Sequence, residues 1–390
     1  MTGTRSVILA GGGTGGHVFP LLAVAEALTR LQPTLRPVFV GTPRGMETRL
    51  VPERGFALEL LDVLPMRGAG LRGLVRGGLR AAGMLPESVR LIRRLGAVGV
   101  LSVGGYAAGP VSLAAWALGL PVALLEPNSV IGLANRLIAP LVLRAYTAFE
   151  LTEGAFAPSV VRPLGVPIRA AFTPRAYEPR AAAPRVLVLG GSQGALALNR
   201  SLPRALAGLR AAVPGLSVVH QCGAAHVAAV QAAYAEADVD SSRPFAEVIP
   251  FIDDMPEAIA TADLVVGRSG ASAVSEITAI GRASLLIPYP YASGNHQYYN
   301  ALALERAGAA RCLASDVSEQ ELAREMRSLL TSPSQLAQMA TQARAFGRPR
   351  AATAIATDFL GLLADARPEE PSRSGDASGP LSPLRFAREG

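Results

Sequence analysis

The chain contains no lysine: all 37 basic residues are arginine. No Schiff-base amine and no lysine base is therefore available to catalysis. Genomic codon bias explains such a skew without any chemistry. Cysteine is nearly absent, with Cys222 and Cys312 the two in 390 residues. Two distant thiols make neither a disulfide framework nor a metal-ligand spacing, and they suit a reducing, cytoplasmic compartment. Aromatics are only 5%, which argues against a base-stacking surface and a nucleic-acid partner. No signal-peptide pattern precedes the first strand at Ser6. No run reaches about 18 uninterrupted apolar residues, so no membrane span is expected. The nearest, "SLAAWALGLPVALL" (112–125), is broken by Gly119 and Pro121. It reads as a helix, a turn and a strand.

Apolar residues are plentiful at 50%, and the length suits two domains. Short apolar runs at 6–10, 37–41, 98–105 and 121–126 alternate with helical patterns near 18–31, 44–54, 87–95 and 109–118. Such alternation predicts an α/β fold with parallel sheets. A proline- and arginine-rich stretch, 161–185, reads as an interdomain connection. The pattern then restarts with "RVLVLGGSQGA", followed by strand-like runs at 216–223, 245–252, 262–270 and 283–290. Helical patterns close the chain at 297–307, 318–331, 333–347 and 350–364. Two doubly wound domains facing a cleft are expected, with 1–163 as the first and 164–349 as the second. The helix near 350–365 is expected to pack back on the first. The tail, 367–390, is rich in proline, serine, glycine and charge, and disorder is expected there.

Each half opens with a strand and a glycine-rich turn. The first is "ILAGGGTGGHVFP" (8–20), in which Gly11, Gly13 and Gly16 satisfy the dinucleotide spacing. A dinucleotide site also wants an acid at the end of the second strand. That strand ends "VFVGTPRG", with none. No lysine follows the turn, so it is no Walker motif. What remains is an anion-friendly turn at a helix start, with His17 just beyond. A neutral histidine there suits a general base; the position equally suits a capping or packed histidine. The second turn, "GGSQGA" (190–195), offers the N–H groups of Ser192, Gln193 and Gly194 to a pyrophosphate, or is simply a tight strand–helix turn.

"RSGASAVSE" (268–276) puts small residues at a helix start and Glu276 further in, where a carboxylate can accept both ribose hydroxyls. "GNHQYYNA" (294–301) groups His296, Gln297 and Asn300, and the Gln297 amide suits sugar hydroxyls. "VGGYAAGP" (103–110) and "EPNSVIGLAN" (126–135) lie at the strand ends where α/β sheets bind ligands. A formal D-x-D, Asp238–Asp240, reads as a surface loop more readily than as a metal site. One segment breaks the alternation: residues 66–94 carry seven arginines and one glutamate, a net charge of +6. A basic amphipathic segment suits an anionic membrane surface, or an ordinary solvated face.

The ordered set GGTGGHVFP, VGGYxxGP, ExNxxxGLxN, GxPxR, GGSxGA, FIDDM, RSGAxxxSE and NHQxxNA resembles the MurG family of bacterial N-acetylglucosaminyltransferases. The resemblance runs from about residue 6 to 365. It implies a GT-B fold, with two Rossmann-like domains. It implies transfer of N-acetylglucosamine (GlcNAc) from UDP-GlcNAc to the N-acetylmuramic acid (MurNAc) 4-hydroxyl of lipid I, giving lipid II. The transfer would invert the anomeric carbon and need neither metal nor other cofactor. His17 would be the base. Thr14, Gly15 and Gly16 would line the cleft. Asn128 would contact GlcNAc, and Arg169 and Ser192 the diphosphate region. Ile252 would meet the uracil through its backbone. Ala271, Ser272, Ala273, Val274, Ser275 and Glu276 would form the donor helix start, with Glu276 on the ribose. Gln297 would hold GlcNAc hydroxyls. The family often has threonine at position 273 and glutamine at 127; this chain has Ala273 and Pro127.

A lipid acceptor brings the enzyme to the membrane. The resemblance therefore implies a peripheral protein on the cytoplasmic face, docked by Arg67 to Arg94, in contact with other cell-wall synthesis proteins. Two other function classes fit parts of the pattern. One is a different GT-B lipid glycosyltransferase, such as one acting on diacylglycerol. The other is a nucleotide-binding enzyme of the same fold, an NAD enzyme or a sugar-nucleotide epimerase.

Overall fold

Valine, isoleucine and leucine runs become buried parallel strands because both faces of each sheet are covered by helices. The computed structural model describes residues 5–63, 83–105, 107–150, 154, 156–191, 194–237 and 245–366. The first sheet holds β1 (Ser6–Gly11), β2 (Arg36–Gly41), β3 (Ala57–Leu60), β4 (Ala97–Gly104), β5 (Val122–Glu126), β6 (Arg144–Thr147) and β7 (Val161–Arg162). Its order is β3-β2-β1-β4-β5-β6-β7. Its helices are α1 (Gly15–Leu31), α2 (Glu47–Glu53), α3 (Leu85–Leu95), α4 (Ala108–Ala117) and α5 (Leu133–Ile138).

The second sheet holds β8 (Arg185–Leu189), β9 (Ser217–Gln221), β10 (Ala246–Ile249), β11 (Leu264–Gly267), β12 (Ala283–Leu286) and β13 (Ala310–Cys312). Its order is β10-β9-β8-β11-β12-β13. Its helices are α6 (Leu196–Ala207), α7 (Val227–Ala237), α8 (Met255–Ala260), α9 (Ala271–Ile280), α10 (His296–Arg306), α11 (Glu319–Leu330) and α12 (Pro333–Phe346). A last helix, α13 (Ala351–Asp365), follows. All described strand pairs are parallel, with registers such as Leu9↔Phe39 in the first sheet and Val188↔Val266 in the second.

Both sheets reverse direction beside their first strand, at β1/β4 and at β8/β11. At such a switch point the loops leave in opposite directions and open a crevice at the strands' carboxyl ends. The fold is GT-B, and both glycine-rich turns stand at switch points. Strands in the second half stop earlier than their apolar runs. The run 283–290 pairs only to Leu286, for example. The run continues as the loop that reaches the cleft.

The chain crosses between the domains twice. After the first crossing, the connection is strapped to the second domain. Asp263, 1% exposed, accepts the N–H groups of Arg180 (3.1 Å) and Arg185 (2.8 Å). Arg282, also buried, donates to the carbonyls of Arg175, Ala176 and Ala260 and lies over the Tyr177 ring. The second crossing, between α12 and α13, touches the first at Gly165, whose missing Cβ would sit 2.6 Å from Arg348 Cβ. Helix α13 then packs on α1 through Ile355, Ala356 and Phe359, all fully buried. Asp358 on α13 accepts from Tyr146 Oη at 2.8 Å and pairs with Arg144 at 3.3 Å. Truncating a side chain packed like Phe359 costs about 3–5 kcal/mol, so α13 is part of the first domain's core. Residues 64–82 and the tail 367–390 lie outside the described residues, so the expectations for both do too.

Candidate functional site

The turn after β1 needs glycine at position 13, where φ is +92°. Helix α1 begins at Gly15 and not near residue 18, because the small residues of the turn already take helical geometry. His17 therefore lies inside the first helical turn, after Thr14 at the N-cap. Thr14 and Gly16 are exposed, and Gly15 and His17 half-buried. Pro20 inside α1 withdraws the N–H that would bond the Gly16 carbonyl. His17 Nδ1 lies 3.1 Å from the Gly12 carbonyl. A carbonyl only accepts, so a hydrogen bond here needs the proton on Nδ1, the arrangement that leaves Nε2 to act on a ligand.

Two buried carboxylates shape this side of the cleft. Glu126, 2% exposed at the end of β5, accepts from Asn128 N–H (3.1 Å), Asn128 Nδ2 (3.3 Å), Gly132 N–H (3.0 Å) and Asn135 Nδ2 (2.9 Å). It braces the loop that carries Asn128. Glu47, fully buried at the start of α2, accepts from the Gly13 N–H and from both the N–H and hydroxyl of Thr42. Glu47 went unnoticed in the sequence, where an acid was sought at the strand end and not in the next helix. The signal was there in "GTPRGME": two glycines, Gly41 and Gly45, shortly before a helix-start glutamate.

In the second domain, Ser192 and Gln193 lie outside the described residues. Their flanks, Gly191 and Gly194, take φ of +77° and +76°. Helix α9 starts at Ala271, directly after β11 and an extended Gly270. Ala271 and Val274 are buried at 7% and 1% in the hydrophobic core, and the Val274 N–H donates to the Gly270 carbonyl at 3.0 Å. Ser272, Ala273, Ser275 and Glu276 are half-buried. Ser272 Oγ is buried without a hydrogen-bond partner among the described residues. It supplies a hydroxyl one residue before the alanine at 273. Crowding in the cleft strips water from Glu276 and pushes its carboxyl up to about 7, while Arg169 pulls the other way. Arg169 is half-buried, its guanidinium 4.9 Å from the Phe172 ring. Ile252 packs against Ile168 and Phe172. Gln297 accepts the Tyr289 N–H at 2.9 Å through Oε1, which leaves its NH2 as the free donor.

One buried side chain joins the two sides. Asn300 accepts the Ser129 N–H at 2.9 Å and donates to Asn128 Oδ1 at 3.3 Å and to the Ser269 carbonyl at 3.1 Å. The Ser269 hydroxyl donates to the Gln297 carbonyl at 2.7 Å. The Asn128 loop, the approach to α9 and the start of α10 are thus one hydrogen-bonded unit. The sequence grouped Asn300 with Gln297 but assigned it nothing. A cavity of about 790 Å³ opens beside the interdomain crossing, lined by Phe149, Phe156, Val166, Ser275 and Phe346. Among the described residues, no three His, Cys, Asp or Glu side chains gather as metal ligands, and no helix is long and apolar enough to cross a membrane. Asp238 and Asp240 lie outside the described residues.

Residues 7–147 match the glycosyltransferase family 28 N-terminal domain, and residues 185–355 the family 28 C-terminal domain. The chain is 54% identical, over 92% of its length and 88% of the relative's, to the UDP-N-acetylglucosamine–N-acetylmuramyl-(pentapeptide) pyrophosphoryl-undecaprenol N-acetylglucosamine transferase of Sorangium cellulosum. It superposes on the crystal structure of Acinetobacter baumannii MurG with a TM-score of 0.76 at 32% identity, covering 92% of this chain and 99% of that one. A UDP-GlcNAc 2-epimerase from Neisseria meningitidis, bound to UDP-GlcNAc, aligns at TM-score 0.63 and 14% identity, covering 92% of this chain and all of that one. That likeness is one of fold.

Proposed function

The chain belongs to glycosyltransferase family 28, and from that membership we propose that it transfers GlcNAc from UDP-GlcNAc to the MurNAc 4-hydroxyl of undecaprenyl-pyrophosphoryl-MurNAc-pentapeptide. The observation that carries the substrate is the 54% identity to the Sorangium transferase over nearly the whole chain. The fold alone does not choose between transferase and epimerase.

In the proposed reaction, His17 Nε2 takes the proton of the acceptor hydroxyl. The hydroxyl oxygen attacks the anomeric carbon from the face opposite UDP. The new C1–O bond forms as the C1–O bond to the diphosphate breaks, so the configuration inverts. The charge left on UDP is met by Arg169, by Ser192 and by the N–H groups at the start of α9, where the helix dipole favours an anion. This is electrostatic stabilisation without a metal. Glu276 accepts the ribose hydroxyls, Ile252 meets the uracil through its backbone, and Asn128 and Gln297 hold GlcNAc hydroxyls. Thr14, Gly15 and Gly16 form the wall beside the sugar and diphosphate.

The lipid acceptor sets the location at the cytoplasmic membrane surface. Each buried CH2 of its chain holds it there with about 0.8 kcal/mol. Support comes from one face of the first domain. Helix α4 packs between α3 and α5. It exposes Leu113 and Trp116, and α5 exposes Leu133 and Leu137. Helix α3 exposes Arg90 and Arg93. An apolar patch beside basic residues suits an anionic bilayer. Of the proposed docking segment, Arg67, Arg72, Arg76 and Arg80 lie outside the described residues. The test of the whole reading is transfer of labelled GlcNAc to a lipid I analogue, with and without EDTA. Transfer that survives EDTA supports it. Transfer to diacylglycerol alone, or transfer lost with EDTA, overturns the acceptor or the metal independence.

A further inference from the structure

We propose that Glu47 is a positioning residue for His17, acting through the peptide bond between Gly12 and Gly13; this rests on His17 being the base. Both ends of one peptide unit are engaged. Its N–H, from Gly13, donates to Glu47 Oε2 at 2.8 Å. Its carbonyl, from Gly12, lies 3.1 Å from His17 Nδ1. The peptide is planar and conjugated, so a carboxylate on its N–H side makes its oxygen a stronger acceptor. The chain of contacts is therefore carboxylate, peptide, imidazole. It fixes the proton on Nδ1 and keeps the Nε2 lone pair for the acceptor hydroxyl.

The rest of the neighbourhood is built around that carboxylate. Glu47 is fully buried. An unpaired buried carboxylate is costly. Here Oε1 takes the Thr42 N–H at 2.8 Å and the Thr42 hydroxyl at 3.1 Å, so both oxygens are satisfied. Gly12, Gly41 and Gly45 surround it, and a Cβ on any of the three would collide with its side-chain atoms. Three positions thus give up their side chains to seat one carboxyl group. Glu47 also stands at the first position of α2, where the helix dipole favours a negative charge. An aspartate would end one methylene short of Gly13.

The test compares His17→Ala, Glu47→Gln and the double variant in the full chain, with UDP-GlcNAc and a lipid I analogue. The glutamine keeps the size of the side chain but turns an NH2 toward one of the donors. Glu47→Gln should lower kcat about tenfold or more, with the donor KM within about twofold. In the His17→Ala background it should change kcat by less than about twofold, because the residue it positions is gone. Histidine 15N spectra read the proposal without any variant of Glu47. In the wild-type chain the neutral His17 ring, assigned by its loss in His17→Ala, should be protonated at Nδ1. If His17→Ala leaves kcat unchanged, the base reading fails and takes this proposal with it. If His17→Ala lowers kcat about a hundredfold or more but leaves it measurable, the base reading stands. The Glu47 proposal is then overturned by an Nε2-protonated ring, or by an equal effect of Glu47→Gln in both backgrounds. Should Glu47→Gln not fold, the wild-type tautomer decides.

Discussion

The two switch points are built from the same strand order, yet they spend their carboxylates differently. In the first domain, Glu47 and Glu126 are buried and turned on the chain's own N–H groups. In the second, Glu276 has no hydrogen bond to the protein among the described residues, and lost hydration raises its carboxyl to about 7. One side is finished before any ligand arrives. The other leaves its carboxyl without a hydrogen bond to the protein among the described residues, near Arg169. In the proposed reaction, a rigid acceptor wall would hold His17 in place, and a donor site with an unbonded carboxyl would gain most from the nucleotide that meets it.

The largest expected effect tests the finished side. His17→Ala should lower kcat by about a hundredfold to ten-thousandfold, the usual worth of a general base. UDP affinity, measured by titration calorimetry, should stay within about twofold. A large loss of UDP affinity would move His17 to the donor side and break the comparison.

The same substitution at two glutamates should act in opposite directions. Glu126→Gln turns an NH2 toward buried donors and should destabilise the chain by about 2 kcal/mol in urea unfolding. Glu276→Gln should stabilise the empty protein at pH 8, by up to about 3 kcal/mol. The sign follows from the shift: burial raises the Glu276 carboxyl from 4.5 to about 7. The folded state then holds its proton longer than the unfolded one. Stability is lost as pH rises from 4.5 to about 7, and the cost is complete above that. At pH 4 the two proteins should therefore unfold alike at this position. Equal destabilisation by both substitutions would mean that Glu276 is a brace like Glu126.

A smaller effect reads the incomplete side with its ligand. Ribose hydroxyls donate to a carboxylate, so UDP-GlcNAc should bind the ionised form of Glu276. Affinity should be about tenfold weaker at pH 6 than at pH 8, given a carboxyl near 7. UDP-GlcNAc suits the measurement because its diphosphate is esterified at both ends. Glu276→Gln should bind about tenfold more weakly at pH 8 and show no such slope. A slope that persists in the variant would assign it to another group.

The sequence announced the two domains, because buried parallel strands read as unbroken apolar runs and both glycine-rich turns follow such runs. It did not announce β3, β6, β7 or β13. These edge-side strands are two to four residues long, and β3 and β7 carry no buried residue. The candidate residues proposed for the cleft, such as His17, Glu276 and Gln297, stand in motifs that a chemistry can be read into. The braces do not. Glu126 stands inside a motif that gives it no role, Asn300 is one polar residue in a cluster, and Glu47 lies a helix and a strand beyond the turn it holds. Each takes at least one backbone group as a partner, and backbone partners leave no side-chain pattern in sequence.

The smallest effect asks whether the two domains also differ on the outside. The exposed apolar residues Leu113, Trp116, Leu133 and Leu137 and the exposed arginines of α3 belong to the first domain. Arg93 is exposed in the last turn of α3. Arg93→Gln should weaken binding to anionic vesicles about fivefold, since one basic residue near such a surface is worth about 1 kcal/mol. Arg200, exposed on α6 of the second domain, is the matched control. Arg200→Gln should leave vesicle binding unchanged. The difference should vanish in about 1 M salt, where the screening length falls to roughly 3 Å. Equal losses at Arg93 and Arg200 would mean that the chain's overall +7 charge, and not one face of one domain, meets the membrane.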